Sequence, residues 1–168
     1  MDIIRATIET AEDLGYVHAT AWNHAYRGIV PDEYLNKYFI PEKRAEKFRK
    51  VLPSTDNEYY IAYFDGKPMG MVVLGKSGDD DAKENAGEVS AIYLLSGYWG
   101  KGYGKKLMDF AVNRLKEFGC STVTLWVLEE NKRARTFYEK YGYVFDGTKK
   151  ELNLGKPLVE MRYVYSIT

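Results

Sequence analysis

Residues 96–104 read Ser-Gly-Tyr-Trp-Gly-Lys-Gly-Tyr-Gly, and no other stretch limits the fold so sharply. Gly100, Gly102 and Gly104 alternate between an apolar run, 88–95, and a segment with Leu107, Phe110, Ala111, Leu115 and Phe118 on one helical stripe. A strand must turn abruptly into an amphipathic helix there. Glycine permits positive φ and lets a ligand approach the backbone closely. Free N–H groups at a helix start form a concave donor set, and the helix dipole adds about half a positive charge. Such a turn holds phosphate. Lys101, Lys105 and Lys106 place cations around it. The same letters also make a plain tight turn with three solvated lysines, and the turn alone does not choose.

Two phosphate-binding patterns fail on spacing. G-x-x-x-x-G-K-[ST] places its second glycine at Gly102, but Tyr103 follows. G-x-G-x-x-G is satisfied by Gly100 and Gly102, but its last position is Lys105. Glu129 and Glu130, about 25 residues on, mimic the acidic residue of the second pattern, yet the chain carries a single β-α-β unit.

The remaining chain is organised around this turn. Ile3 to Ile8 reads as a strand, and Thr10 with Asp13 as an acidic capping box. Leu14, Val17, Ala21 and Trp22 follow at helical spacing, up to Gly28. Pro31 and Pro41 each open a further helix. Tyr59 to Phe64 and Met69 to Leu74 are strands joined at Asp65-Gly66, and Ser77 to Gly87 is an acidic loop. Its run Asp79, Asp80, Asp81 lacks the rest of a calcium-loop pattern. After the helix that Gly119 ends, Thr122 to Leu128 is a strand. Asn131 caps a helix ended by Gly142, and strands begin at Tyr143 and Leu158. Strands alternating with helices in the second half predict an α/β (α+β) fold, a mixed sheet with helices packed on it. The 168 residues suit one domain, 1–168.

Composition narrows the function. The 24 basic residues equal the 24 acidic ones, which argues against a dedicated nucleic-acid binder. Cys120 is the only cysteine, so no disulfide forms within the chain and a reducing compartment fits. No signal-peptide layout is present, and no apolar run nears the ~18 residues of a membrane span. The expectation is a cytoplasmic protein with no membrane or nucleic-acid partner.

The letters Trp99-Gly100-Lys101-Gly102-Tyr103-Gly104 resemble the [QR]-x-x-G-x-[GA] signature of the GNAT N-acetyltransferases, with Trp99 in the place of Gln or Arg. Farther on, Asn131-Lys132-Arg133-Ala134-Arg135-Thr136-Phe137-Tyr138-Glu139-Lys140-Tyr141-Gly142-Tyr143 resembles the family run N-x-x-A-x-x-F-Y-x-x-x-G-F, with Tyr143 for the last Phe. The resemblance extends from about Ile3 to the end and is sharp from Glu88 to Tyr143. It implies a mostly antiparallel sheet of about seven strands with helices on both faces, splayed between the fourth and fifth strands. It further implies that acetyl-CoA lies in that gap. Its pantetheine arm would pair with backbone groups of Tyr93, Leu94 and Leu95. Its diphosphate would sit on the amides of Gly100, Lys101, Gly102, Tyr103 and Gly104, with Lys105 close by. The Asn131 side chain either bonds the pantetheine or simply caps its helix.

The resemblance also suggests chemistry. Tyr138 would protonate the departing thiolate, and Leu94 N–H would receive the oxyanion. Glu88, fourteen residues before Gly102, would be the base, acting through water. A solvated, inert residue at a strand start is equally consistent with Glu88. Alternation puts Ser90 and Ile92 on the strand face of Glu88, so Ser90 would hold that water. Trp22, Tyr26, Arg27 and Tyr34 fall where the family builds its acceptor wall, although aromatics there also serve as core. His18 and His24 lie on different helix faces, which disfavours a shared metal, and Cys120 lacks the helix N-terminus that activates thiols. The expectation is an enzyme moving acetyl from acetyl-CoA to a primary amine of a small molecule by direct attack, without metal, and the resemblance adds a homodimer. The alternatives are a regulatory acyl-CoA-binding module without catalysis and an acetyltransferase acting on protein lysines or N-termini.

Overall fold

Asp65 and Gly66 both adopt left-handed backbone, φ 48 and 71, and Phe64 faces Lys67 across the two-residue turn. That geometry matches the twist of paired strands. It starts the sheet. The computed structural model describes residues 1–167, with strands β1 (Asp2–Arg5), β2 (Glu58–Phe64), β3 (Lys67–Lys76), β4 (Ala86–Leu94), β5 (Thr122–Leu128), β6 (Val144–Asn153) and β7 (Pro157–Ser166). The helices are α1 (Ala11–Ala25), α2 (Asp32–Tyr38), α3 (Pro41–Val51), α4 (Tyr103–Glu117) and α5 (Lys132–Tyr141). The sheet order is β1-β2-β3-β4-β5-β7-β6. Every neighbour pair is antiparallel except β4 with β5. The mixed, mostly antiparallel seven-stranded sheet expected from the sequence is therefore present.

Strand alternation divides the core. Ile61, Met71 and Val73 point to one face, where Ala11, Leu14 and Val17 of α1 and Phe48 of α3 cover them. Tyr60, Ala62, Val72 and Leu74 point to the other, under Leu107, Met108, Ala111 and Leu115 of α4 and Tyr138 of α5. The splay between β4 and β5 also forms. Only Ala86–Thr122, Gly87–Val123 and Glu88–Thr124 pair, after which the strands diverge. A bulge assists. Val89 faces Leu74 and Ala91 faces Val73, so Ser90 has no partner across β3. An extra residue bends its strand and raises its twist.

Some local expectations change. β1 stops at Arg5, and Ile8 lies in a 3-10 turn, Ile8–Thr10. The Thr10–Asp13 capping box does not form. Thr10 Oγ1 instead accepts the Thr7 N–H at 3.0 Å, and Asp13 accepts the Tyr63 hydroxyl at 2.6 Å. A partner across space displaced the local cap.

Candidate active site

Where β4 and β5 part, a cavity of about 600 Å³ opens. β4 walls it from Val89 to Leu94, β5 by Trp126 and Val127, the glycine turn by Gly100, Gly102 and Gly104, and α5 by Asn131, Arg133, Ala134, Phe137 and Tyr138. The end of α1 closes it with Ala21, His24, Ala25 and Tyr26.

Backbone direction on β4 follows from one bond. The Leu95 N–H donates to Met69 C=O at 2.9 Å. Antiparallel residues alternate between bonding their neighbour and facing away. Tyr93 and Leu95 thus bond β3, and Ile92 and Leu94 direct their backbone groups into the gap. The Leu94 carbonyl accepts the Trp99 indole N–H at 2.8 Å, which leaves its N–H facing the cavity. Sequence reasoning grouped Tyr93, Leu94 and Leu95 and missed Ile92. The hydrogen-bonding parity of a strand carries no signature in its letters.

The glycine turn takes left-handed backbone at Gly100 (φ 71) and Gly102 (φ 82), and Gly102 is the N-cap of α4. A Cβ on either glycine would meet no atom within 4 Å, so backbone conformation, not crowding, calls for glycine. At Gly104 the reason is contact, since a Cβ would lie 3.3 Å from the Phe137 ring. Lys105 lines the cavity, with its ammonium 2.8 Å from Asp109. Lys101 bonds the Gly97 carbonyl at 2.7 Å. Tyr103 packs edge-on against Phe64 at 5.5 Å. Asn131 does cap α5, its Oδ1 accepting the Ala134 N–H at 3.2 Å. Asn131 also lines the cavity, so capping and ligand contact are compatible.

Tyr138 is buried on the cavity wall. Burial, and then its neighbour Tyr93, hold its phenol well above the ordinary range, so it stays protonated. Tyr26 and Tyr93 are raised as well, chiefly by burial. Glu88 stands just outside the cavity wall, at the closed end of the splay, and accepts the Gly78 N–H at 3.2 Å. Burial, then the charge of Asp79, raises its carboxyl. Register places Glu160 on the same sheet face, and burial raises its carboxyl too. Glu160 was missed because nothing local in β7 distinguishes it.

The bulge corrects one expectation. It reverses the alternation after Glu88, so Ile92 packs under α4 while Ala91 and Tyr93 take the α1 side. Ser90 reaches the cavity, but with its hydroxyl 3.4 Å from the Val73 carbonyl.

Of the four residues expected on the acceptor wall, Tyr26 lines the cavity. Trp22 lies behind it, stacked on Phe39 at 3.8 Å. Arg27 turns outward to Asn23 and Asp32, and Tyr34 packs beside Tyr38 and under Gly155. His18 is buried among rings and accepts Arg44 Nε at 3.0 Å, while His24 meets the Ser96 hydroxyl at 2.9 Å. Burial pushes the Cys120 thiol up, away from reactivity. No helix among the described residues is long and apolar enough to cross a membrane.

A sheet splayed between parallel central strands, with a glycine turn at the mouth of the gap, defines an acyltransferase-type fold. The chain matches the model of the Acetyltransferase (GNAT) family over residues 22–143 and belongs to that family. An uncharacterized N-acetyltransferase of Mycobacterium tuberculosis is 29% identical over 139 residues, 83% of this chain and 86% of the relative. The spermidine N(1)-acetyltransferase of Thermoplasma acidophilum is 26% identical over 152 residues, 88% and 91% of the two chains. Among solved structures, the PaiA N-acetyltransferase from Thermoplasma acidophilum, in complex with coenzyme A, superposes with TM-score 0.74 at 25% identity and covers 98% of each chain.

Proposed function

We propose that this protein is an N-acetyltransferase that takes acetyl from acetyl-CoA and delivers it to a primary amine of a small molecule by direct attack in a ternary complex. One observation carries the reading. A single cavity combines strand-edge groups at Leu94 and Ile92, a left-handed glycine turn and a protonated, buried phenol. The edge groups suit the amides of a pantetheine arm, and the turn suits a diphosphate. The solved relative that holds coenzyme A supports the same donor.

The chemistry sets demands that these residues can meet. At pH 7 a lysine-type amine reaches its neutral form at a cost of roughly 4 kcal/mol. A carboxylate with a raised pKa is a better proton acceptor than a solvated one. Glu88 is so placed, and we assign it the base, acting through water. The Leu94 N–H faces the gap and receives the oxyanion that forms on the attacked carbonyl. Tyr138 gives its proton to the departing thiolate. Glu88 and Glu160 on one face favour a cationic acceptor, as does the spermidine-acetylating relative.

The test is a panel of polyamines, amino acids, amine drugs, and lysine-bearing and N-terminal peptides, followed by release of free thiol. Turnover is expected with small amines. Coenzyme A at 100 times its Kd is expected to stabilise the fold by about 2.7 kcal/mol. Stabilisation without any turnover would identify a regulatory coenzyme-binding module instead, and turnover only with peptides would assign a protein acetyltransferase. If Glu88 is the base, the acidic limb of kcat/KM lies above the ordinary carboxylate range and vanishes in Glu88→Gln. An unchanged profile in that variant removes Glu88 from the mechanism.

A further inference from the structure

The cations at the mouth of the cavity are not equivalent. Lys105 is paired with Asp109, and Lys101 is turned back onto the Gly97 carbonyl. Arg133, in the first turn of α5, lines the cavity and makes no ion pair among the described residues. Its guanidinium carbon sits 3.0 Å from the centroid of the Trp99 ring. The ring is itself fixed, because its indole N–H is bonded to the Leu94 carbonyl at 2.8 Å. Trp99 therefore has no donor left for a ligand. It offers only its flat face.

A guanidinium lying on an indole keeps its N–H donors around its edge. They stay free for an anion that needs two donors in one plane, as a phosphate does. The stack also holds a flexible side chain in place before the ligand arrives, which lowers the entropy cost of binding. No carboxylate among the described residues pairs with it.

We propose that Trp99 and Arg133 form the cationic half of a diphosphate subsite. Arg133 is the ligand, Trp99 is the residue that positions it, and the amides of the glycine turn form the other half. The inference rests on the acetyl-CoA reading above and adds to it a guanidinium on the cavity wall, held beside the amides of the turn. Arg133 lines the same cavity as Gly100, Gly102 and Gly104, so the subsite addresses the phosphate that the turn amides hold, the diphosphate.

Calorimetry with coenzyme A, dephospho-coenzyme A and pantetheine tests this. Arg133→Ala is expected to weaken both nucleotide-bearing ligands alike, about tenfold or ~1.4 kcal/mol each, and to leave pantetheine binding unchanged. Trp99→Ala is expected to weaken them similarly and to add little to Arg133→Ala in the double variant. Trp99→Phe keeps a ring under the guanidinium and is expected to lose less than Trp99→Ala. Loss of affinity for coenzyme A but not for its dephospho form would reassign Arg133 to the 3′-phosphate and overturn the proposal. Equal loss for pantetheine, or no loss at all, would overturn it too. If the wild-type protein binds no coenzyme A, the functional reading itself fails. If it binds and Arg133→Ala binds as well, only this inference fails.

Discussion

The hydroxyl of Tyr138 is the group whose removal asks the sharpest question. Tyr138→Phe deletes one oxygen and leaves the ring that packs against Phe137 and Tyr143. The expected result is a fall in kcat of about 10²–10⁴-fold with little change in donor affinity. Wild-type turnover would exclude the proton-donor role. His18 poses a different question, one of stability. It is buried, and burial together with Arg44 and Lys47 holds its pKa at about 3 against an ordinary 6.5. The folded value is the lower one, so the unfolded chain takes up the proton first. Stability is fully present above about pH 6.5 and drains away as pH falls toward 3, by about 2 kcal/mol at pH 5. Urea unfolding at pH 7.5 and pH 5 should show that loss in the wild type and a smaller one in His18→Gln. Equal slopes would mean that His18 does not titrate on unfolding. The burial of His18 was not legible in the sequence, because a histidine on an amphipathic helix reads the same whether four rings or water surround it. Gly100, Gly102 and Tyr138 were legible, because their motifs are local.

At the scale of elements, α1 matters because it delivers Tyr26 to the cavity and is seated by α3. A Cβ on Gly15 of α1 would lie 2.5 Å from both the Ala45 nitrogen and the Pro41 oxygen. Those atoms are backbone and cannot step aside, so the helices must separate. Helix propensity favours Ala over Gly by about 1 kcal/mol. Overpacking costs typically 1–3 kcal/mol and more when backbone must move. The clash wins on these magnitudes, and Gly15→Ala is expected to lower stability by roughly 1–2 kcal/mol. Thermal unfolding decides it, and an equal or higher Tm would show that propensity prevails. The close crossing was not legible, because a lone glycine in a helix carries no mark of what crosses it. The hairpin at Asp65-Gly66 was legible, because its turn chemistry is contained in two letters. The Ser90 bulge was not, because Glu88 to Leu94 alternates well enough to pass for a regular strand.

Across the whole molecule, the loop between β3 and β4 is tied to the distant β6–β7 hairpin through one buried arginine. Arg162 of β7 bonds Asp146 at 2.7 Å through Nε and Asp81 at 2.7 Å through Nη2, and it lies 3.2 Å from Asp79. Asp79 in turn accepts the Trp126 indole N–H at 3.0 Å, and Trp126 lines the cavity. The sequence showed only a polar acidic loop, since a network joining residues 79, 81, 146 and 162 exists only after the sheet closes. Its loss would leave aspartates in a half-buried site without their cation, which costs about 3–5 kcal/mol for a fully buried pair and less here, where Asp81 is exposed. Arg162→Met is therefore expected to lower stability by roughly 2–3 kcal/mol. Trp126 sits on the β5 wall, away from the glycine turn, so the acceptor KM should rise while donor affinity holds. Arg162→Lys restores charge without the planar fork and is expected to fall between the two. Denaturant melts with donor titrations separate the outcomes. A variant as stable as the wild type would show that the loop is held by packing alone, and an equal loss of donor affinity would show that the network supports both sides of the cleft.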